Sequence, residues 1–283
     1  MERARGLLEL TRPGNAVSAG LLTAIGAVVA GAGSTSGLVL DAGPTVRAAA
    51  AVLATVLAVG AGNAINDYFD RDIDRVNKPD RPIPRGAVSP RGALVFSLAL
   101  FTAAVALALV LPLVAVAIAV VNLLALVAYT ELFKGLPGVG NALVAYLGGS
   151  TFLFGGTAVG GPLDAVFVLF VLAALATFAR EVVKDVEDVA GDREEGLATL
   201  PIAYGEGTAL RVAAVALALA VLASPAPYLL AGFGVAYLLA VTVADAVMVA
   251  AAYRSFGDAT TGQTWLKYGQ LLAAGAFVVG RLA

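Results

Sequence analysis

Apolar residues occur in nine long runs, which are separated by polar or by glycine- and proline-containing stretches. A membrane-spanning helix needs about 20 predominantly apolar residues, and each run approaches that length. The predicted spans are residues 14–32, 45–66, 92–111, 113–130, 140–158, 163–183, 207–223, 228–252 and 265–282. The pattern therefore predicts an all-α protein with nine transmembrane helices. No soluble segment separates the runs, so we expect a single membrane domain over residues 1–283.

Prolines and glycines predict where the chain turns between spans. Pro112 divides one long apolar stretch in two, because proline interrupts the helical hydrogen-bond ladder. The segment Ser224-Pro225-Ala226-Pro227 predicts a second tight turn. The glycines from Gly155 to Gly161, followed by Pro162, predict a third.

The distribution of charge predicts the orientation in the membrane. Of 18 Lys and Arg residues, 16 fall at the amino terminus, at helix ends or in loops on one side, if that side is cytoplasmic. Arg47 and Arg281 fall on the other side. This asymmetry follows the positive-inside rule and predicts a multi-pass protein of the cell membrane with a cytoplasmic amino terminus. Nearly all acidic residues share the same loops, so we expect the chemistry on the cytoplasmic face.

Composition narrows the possible chemistry. The chain is 60% hydrophobic and 13% charged, whereas soluble proteins average about 25% charged residues. It contains no Cys and no His. Disulfides, Cys/His zinc sites, histidine ligation of haem and Ser-His or Cys-His catalysis are therefore excluded. A bound metal must have oxygen ligands, which favours magnesium, calcium or manganese.

An acidic pattern, D-x-x-D-x-x-x-D, follows the second span as DYFDRDID over residues 67–74. Asn66, Asp70 and Asp74 are spaced four apart and, on a helix, would line one face over two turns. Asp67 adds a further carboxylate. Carboxylates this close repel one another unless a cation lies between them. We expect a metal site, the alternative being a solvated helix end whose acids pair with Arg71, Arg75 and Lys78.

The same pattern recurs after the sixth span. Asp185, Asp188 and Asp192 belong to DVEDVAGD, with Lys184 immediately before it. Both patterns end an apolar helix and precede a proline-containing loop, so the two halves resemble a weak internal repeat. Two facing carboxylate clusters with nearby basic residues suit a magnesium–diphosphate substrate. The alternative is an ordinary charged loop.

Basic and aromatic residues near the acids are candidates for binding phosphate. The loop over residues 77–86 contains three prolines, which stiffen a segment carrying Lys78, Arg81 and Arg85. Arginine suits bidentate contact with phosphate oxygens, although positive-inside topology alone would also place arginines here.

Three residues near the fourth and fifth spans are further candidates. Tyr129 and Lys134 lie at the cytoplasmic end of the fourth span and are expected to contact phosphate or acceptor. The alternative is an interfacial aromatic with a snorkelling lysine. Asn141, at the start of the fifth span, either lines a cavity or joins two helices. Asp245, mid-span, should face the bundle interior because a carboxylate in lipid is costly.

These motifs resemble those of the UbiA superfamily of intramembrane prenyltransferases. The superfamily's first motif, N-D-x-x-D-x-x-x-D, matches residues 66–74, and its following loop matches residues 77–84. Its second motif matches Asp185, Asp188 and Asp192, and its Tyr–Lys element matches Tyr129 and Lys134. Residues 8–15, 180–192 and 199–201 are similar to the archaeal ether-lipid subgroup. Position 85 is Arg, where many relatives carry Ser.

The resemblance implies a fold, a reaction and its partners. The helices would surround a central cavity, with Mg²⁺ as cofactor and an isoprenoid diphosphate as donor. In the archaeal subgroup the donor is geranylgeranyl diphosphate, and the acceptor is the prenylated glycerol phosphate geranylgeranylglyceryl phosphate. The enzyme works within membrane lipid, and no nucleic acid is expected as a partner.

The resemblance also implies a role for each matched residue. The expected metal ligands are Asn66, Asp70, Asp74, Asp185, Asp188 and Asp192. The expected diphosphate contacts are Lys78, Arg81, Arg85, Lys134, Asn141 and Lys184. The expected catalytic groups are Asp67 and Asp185 as proton acceptors, together with Tyr129 and Lys134.

Two other functions compete with this interpretation. One is a UbiA-type enzyme with an aromatic acceptor, from a quinone, chlorophyll or haem pathway. The other is an ion-coupled transporter, for which intramembrane acids such as Asp245 are typical. The acidic clusters lie at helix ends rather than near the middle of the bilayer, which disfavours transport.

Overall fold

The computed structural model describes residues 2–31, 43–161 and 163–282, except for the side chains of Thr130 and Glu131. These parts form helices and contain no β-strand. The predicted loop over residues 33–42 and Pro162 lie outside the described residues. The helices are α1 Glu2–Leu10, α2 Pro13–Gly31, α3 Pro44–Phe69, α4 Arg71–Asn77, α5 Pro90–Ala108, α6 Leu113–Ala128, a π-helical turn Tyr129–Phe133, α7 Val139–Val159, α8 Asp164–Glu187, α9 Val189–Glu194, α10 Leu200–Tyr204, α11 Glu206–Ala223, α12 Ala226–Leu230, α13 Val235–Ser255 and α14 Ala259–Leu282.

The all-helical membrane architecture is confirmed, whereas the count of nine spans stays a prediction. Among the described residues, seven stretches are long and apolar enough to cross a membrane. They are Pro13–Gly31, Pro44–Phe69, Pro90–Ala108, Val139–Val159, Asp164–Glu187, Glu206–Leu230 and Val235–Ser255. The helix α6 is apolar but shorter, and α14 has 24 residues but many polar groups in its first half.

The last two predicted spans were misplaced at their amino-terminal ends. Residues 228–230 belong to the short α12, because Gly232, with φ of 69°, interrupts the chain before α13 begins at Val235. The last helix begins at Ala259 rather than at residue 265. Asp258 stabilises this earlier start, since its carboxylate accepts bonds from the backbone and hydroxyl of Thr261.

The helix α7 joins the two halves, because it packs against α2, α3, α6 and α8. Its crossing with α2 depends on two glycines. A Cβ atom at Gly155 would lie 1.9 Å from the Thr23 carbonyl oxygen, and one at Gly26 would lie 2.3 Å from the Phe152 carbonyl oxygen. Small residues allow helices to pack closely in membranes, where apolar burial alone favours no contact.

The outward faces of the helices suit a lipid environment. Large apolar side chains are exposed along them, including Leu113 at 81%, Leu222 at 78% and Leu239 at 71%. Polar groups within the spans instead bond inside the bundle. Asp245 accepts a bond from the Ser224 hydroxyl at 2.6 Å and lines a small interior cavity of about 90 Å³. Asp245 therefore faces the interior, as predicted.

Both acidic motifs interrupt a long helix at their middle aspartate. Asp70 lies between α3 and α4 with ψ near 0°, and Asp188 lies between α8 and α9 with ψ of 4°. The backbone nitrogen of each still bonds to the carbonyl oxygen four residues earlier, in Asn66 and Lys184 respectively. The first motif is therefore helical on both sides of Asp70, and the two motifs share the same local structure.

Candidate functional site

A charged cavity of about 430 Å³ lies where the ends of α4, α7 and α8 meet α9 and the π-helical turn. Eight acidic residues and three lysines line it. A cation would stabilise this excess of carboxylates, because like charges in close proximity repel. The wall consists of Asp74, Asn77, Lys78, Tyr129, Lys134, Leu136, Gly140, Asn141, Val144, Glu181, Lys184, Asp185, Glu187, Asp188, Gly191, Asp192, Glu194, Glu195, Leu197 and Thr199.

The second acidic motif contributes three carboxylates to this cavity. Asp185 accepts a hydrogen bond of 2.8 Å from the side chain of Asn141, which is buried. Asp192 accepts one of 3.2 Å from the Thr199 hydroxyl. Asp188 is half exposed, and its carboxylate lies 3.9 Å from the Lys184 ammonium. Two carboxylates are thus oriented by neighbouring helices, while the third lies at the open side.

Burial raises the pKa of the Asp192 carboxyl above its ordinary value. The hydrogen bond from Thr199 opposes this shift, whereas the charges of Asp188 and Glu195 add to it. A carboxylate in such surroundings gains from a nearby cation, since a cation favours its charged form. The direction of the pKa shift therefore agrees with a site that binds positive charge.

Tyr129 and Lys134 reach the cavity from the π-helical turn after α6. Burial raises the pKa of Tyr129 to about 12, and the carboxylates of Glu181, Asp185 and Asp192 add to the shift. Tyr129 is therefore a neutral hydrogen-bond donor at ordinary pH. The Lys134 ammonium lies 3.5 Å from Glu195, and this exposed pair leaves it accessible from the cavity.

The first acidic motif is held by two arginines. Asp67 and Asp74 are 4% and 3% exposed. Arg81 donates through Nη1 to Asp67 at 3.2 Å and to Asp74 at 2.5 Å. Arg12 donates through Nη2 to the same oxygen of Asp67 at 2.7 Å. Of these four, Asp74 lines the charged cavity. One oxygen of Asp67 thus accepts hydrogen bonds from two guanidinium groups.

The structure brings together most, but not all, of the predicted site residues. The charged cavity collects Asp74, Lys78, Tyr129, Lys134, Asn141, Lys184, Asp185, Asp188 and Asp192. Asn66 lines a neighbouring apolar cavity instead. Asp67, Asp70, Arg81 and Arg85 are not among the lining residues. The guanidinium of Arg85 donates to Glu9 and to the Asp80 carbonyl oxygen, so it faces α1 rather than the cavity.

The neighbouring apolar cavity has a volume of about 250 Å³ and lies between α3, α5, α6 and α7. Asn63 and Asn66 belong to its wall, next to the acidic motif, and small apolar residues such as Ala54 and Ala104 line the rest. Val105 and Leu123 line it as well and are 47% and 40% exposed. The cavity therefore extends from the first motif to the lipid-facing surface and suits an apolar chain.

The donor set of the charged cavity fits magnesium bound together with a phosphorylated ligand. Among the described residues, no three acidic side chains converge closely enough to hold a metal ion by themselves. Magnesium commonly takes one or two protein carboxylates and completes its shell with water and substrate phosphate. Four cavity carboxylates belong to the two acidic motifs, namely Asp74, Asp185, Asp188 and Asp192. The site thus lacks a preformed cage but offers the carboxylates that magnesium uses.

Sequence reasoning missed several groups that shape the site. Arg12 is 55 residues from Asp67 in the chain, so no local spacing indicates their contact. Thr199 and Glu195 bond to Asp192 and Lys134 respectively. Glu195 lies in a charged run with Arg193 and Glu194, a pattern that is typical of solvent-facing loops. The proline after Leu200 was a usable signal for Thr199, since it predicts a helix start with Thr199 before it.

These features describe a membrane protein with a carboxylate-rich cavity beside an apolar cavity. The model of the UbiA prenyltransferase family matches residues 19–277. The chain therefore belongs to the UbiA prenyltransferase family.

Curated relatives cover the whole chain. A protein of Natronomonas pharaonis named digeranylgeranylglyceryl phosphate synthase is 66% identical over 283 residues, covering 100% of this chain and 99% of the relative. A protein of the same name from Halobacterium salinarum is 60% identical over 282 residues, covering 100% of this chain and 99% of the relative. The similarity thus includes both acidic motifs and the amino-terminal segment.

Solved structures share the fold. One, which concerns a digeranylgeranylglyceryl phosphate synthase in membranes, has a TM-score of 0.82 and 34% identity, covering 100% of this chain and 99% of its own. A UbiA homolog from Archaeoglobus fulgidus, bound to DMAPP and Mg²⁺, has a TM-score of 0.64 at 20% identity, covering 96% and 99%. The second likeness supports the fold alone.

Proposed function

We propose that this protein transfers a geranylgeranyl group from geranylgeranyl diphosphate to the glycerol hydroxyl of geranylgeranylglyceryl phosphate, with magnesium as cofactor. The observation that carries the proposal is the carboxylate-rich cavity of about 430 Å³ next to an apolar cavity whose wall includes Asn66. The first suits a metal-bound diphosphate and the second suits a prenyl tail. The relatives named digeranylgeranylglyceryl phosphate synthase support the choice of donor and acceptor.

The donor diphosphate is bound by cations at the motif ends. Lys78, Lys134 and Lys184 line the cavity and place ammonium groups around it. Arg81, attached to Asp74, can add a guanidinium, which suits phosphate oxygens. Asp74, Asp188 and Asp192 would hold magnesium, which would supply positive charge that stabilises the leaving group.

The reaction exchanges one carbon–oxygen bond for another. The bond between C1 of the donor and the diphosphate oxygen breaks, and its electron pair leaves with the diphosphate. A lone pair of the acceptor hydroxyl forms the new ether bond to C1. The hydroxyl proton passes to Asp185 or to the departing diphosphate. Asp67 already accepts hydrogen bonds from Arg12 and Arg81, so this role is not assigned to it.

The surroundings of the reacting carbon favour transfer over hydrolysis. The apolar cavity excludes water from the allylic carbon, which develops positive charge as the bond breaks. The lysines around the diphosphate stabilise the negative charge that develops on it. Tyr129 remains a neutral donor, because its pKa is raised to about 12, and it can donate to a phosphate or acceptor oxygen.

We also propose that the charged cavity faces the cytoplasm. The acidic motifs lie at the ends of α3 and α8, whereas Arg47 lies near the start of α3 and Arg281 near the end of α14. The remaining Lys and Arg residues cluster on the motif side by sequence. Positive residues concentrate on the cytoplasmic side of membrane proteins.

A transfer assay tests the proposed function. Purified protein in lipid with magnesium receives radiolabelled geranylgeranyl diphosphate and either geranylgeranylglyceryl phosphate or a panel of aromatic acceptors. We expect a doubly prenylated ether lipid from the glycerol phosphate and no product from the aromatic compounds. Transfer to an aromatic acceptor alone would assign the chain to a different branch of its family. The absence of transfer to every acceptor would refute the proposed reaction.

A further inference from the structure

Thr11 and Arg12 form the link between α1 and α2, and this link has a conformation that its surroundings must stabilise. Arg12 has φ of 46°, and within residues 2–31, 43–161 and 163–282 it is the one non-glycine residue with a positive φ. Pro13 follows it and disfavours the right-handed helical conformation at Arg12. A left-handed conformation persists at a long side chain where neighbouring contacts over-determine it. The contacts of this link should therefore be specific.

The link is attached to one face of α3. The side-chain amide of Asn63 donates to the Thr11 carbonyl oxygen at 2.9 Å. A Cβ atom at Gly60 would lie 3.2 Å from Thr11 Cβ, so the two backbones are close. Arg12 reaches Asp67, one turn further along α3. Positions 60, 63 and 67 share a helix face, which places the link along the side of the first acidic motif.

Arg12 balances the charge of the buried part of this motif. Asp67 Oδ1 accepts from Arg12 at 2.7 Å and from Arg81 at 3.2 Å, and Arg81 also binds Asp74. Two guanidinium groups thus face two carboxylates that are almost fully buried. Without Arg12, Arg81 alone would compensate both carboxylates. A buried carboxylate without adequate compensation is strongly unfavourable, so Arg81 would be bound more tightly to the motif.

We propose that Arg12 is a positioning residue for substrate binding, which acts by compensating Asp67 and thereby leaving Arg81 able to contact the donor diphosphate. This inference rests on the proposed function. Both bonds of Arg81 to carboxylates leave from Nη1. Among the described residues, its Nη2 and Nε groups form no hydrogen bond, and a guanidinium offers five N–H donors in all. A phosphate would accept hydrogen bonds from these groups.

The helix α1 packs against the loop that carries Arg81 and Arg85, and so relates the position of the link to that loop. Leu10 at the end of α1 shares a buried cluster with Val88 and with Ile83, which lies between Arg81 and Arg85. Glu9 binds Arg85 at 2.5 Å, and this bond lowers the pKa of the Glu9 carboxyl. The amino-terminal helix and the loop that carries Arg81 therefore form one packed unit beside Asp67.

The test replaces Arg12 and then restores the charge balance. We expect Arg12→Ala and Arg12→Gln to raise the KM for geranylgeranyl diphosphate by about tenfold or more, with a smaller change in kcat, since one partner of a buried charge pair is lost. Adding Asp67→Asn to Arg12→Ala removes the uncompensated carboxylate and should recover most of the donor KM. The matched control is Arg5→Ala, which removes an exposed arginine of α1 that pairs with Glu9.

The outcomes separate positioning from a merely structural role. If Arg12 had a purely structural role, adding Asp67→Asn would restore nothing, because the contact of Arg12 with α3 would still be missing. A donor KM within twofold of wild type in Arg12→Gln, or a double variant no better than Arg12→Ala, would overturn the proposal. Thermal unfolding of each variant identifies loss of fold, in which case Arg12→Gln decides in place of Arg12→Ala. Absence of transfer by the wild-type protein would instead refute the proposed function.

Discussion

The side-chain amide of Asn141 donates a 2.8 Å hydrogen bond to the carboxylate of Asp185 and so joins the start of α7 to the end of α8. Asn141 is buried, which makes this bond a fixed part of the cavity wall. Since α7 also packs against α2 and α3, the bond relates the second acidic motif to the half of the molecule that contains the first.

Loss of this bond should reduce activity by more than its effect on the stability of the fold would suggest. Asn141→Leu keeps the size of the side chain but leaves Asp185 without its amide partner. A hydrogen bond to a charged group contributes about 1.5–3 kcal/mol, so we expect kcat/KM to fall by about 10- to 100-fold. The control is Thr242→Ala on α13, whose exposed hydroxyl bonds within its own helix. An unchanged kcat/KM in Asn141→Leu would contradict the role given to the contact.

Substitution of the cavity carboxylates should lower activity much more than substitution of an acid that lies outside the cavity. Asp188→Asn and Asp192→Asn each remove a negative charge from the wall, and we expect magnesium-dependent turnover to fall by about 100-fold or more. Asp72→Asn is the matched control, because Asp72 lies within the first motif but pairs with Arg71 and Arg75 on the exposed side. Rates are compared across a magnesium titration. Equal losses in all three variants would argue against a metal role for the cavity acids.

Tyr129 should act as a neutral donor over the whole accessible pH range. Its pKa is raised from the ordinary value of 10 to about 12, chiefly by burial, because burial disfavours the charged phenolate. A raised pKa keeps the hydroxyl protonated up to higher pH. We therefore expect Tyr129→Phe to lower the rate by about tenfold, by the same factor at every pH between about 7 and 10. A ratio of wild-type to variant rates that falls across this range would show that the phenol ionises there.

The apolar cavity should determine which donor chain fits. Ala104 lies in its wall and is buried, so Ala104→Phe fills part of the volume of about 250 Å³. We expect geranylgeranyl diphosphate to lose about tenfold or more in kcat/KM while the shorter geranyl diphosphate is less affected, since overfilled cavities exclude the longer chain. Ala106→Phe on the same helix faces outward and is the control. The same loss for both donors would place the prenyl tail elsewhere.

Features that depend on local chain chemistry were predictable from the sequence. Apolar runs of sufficient length became helices, Pro112 ends the connection before α6, and Asp245 faces inward. The errors concern helix ends that hydropathy does not indicate. The polar first turns of α14 form a helix because Asp258 caps them, and Gly232 ends α12 through its left-handed backbone.

The arrangement of the site was predictable in its residue types but not in its contacts. The family resemblance implied that Asp67 acts as a base, yet two arginines from distant segments bind it. It also suggested that Arg85 faces phosphate, whereas Glu9 of α1 holds it. These pairings depend on how helices separated in sequence pack together, and no local pattern encodes that packing. Their assignment to metal and substrate roles stays a prediction.

In the proposed complex the donor binds across the two cavities, with its diphosphate between the acidic motifs. The most direct measurement is an experimental structure with magnesium and a non-reactive thio analogue of geranylgeranyl diphosphate. We predict that the diphosphate lies in the charged cavity near Asp74 and Asp188, and that the tail passes Asn66 into the apolar cavity. A diphosphate bound outside the charged cavity, or an analogue bound equally well after Asp188→Asn, would contradict the account.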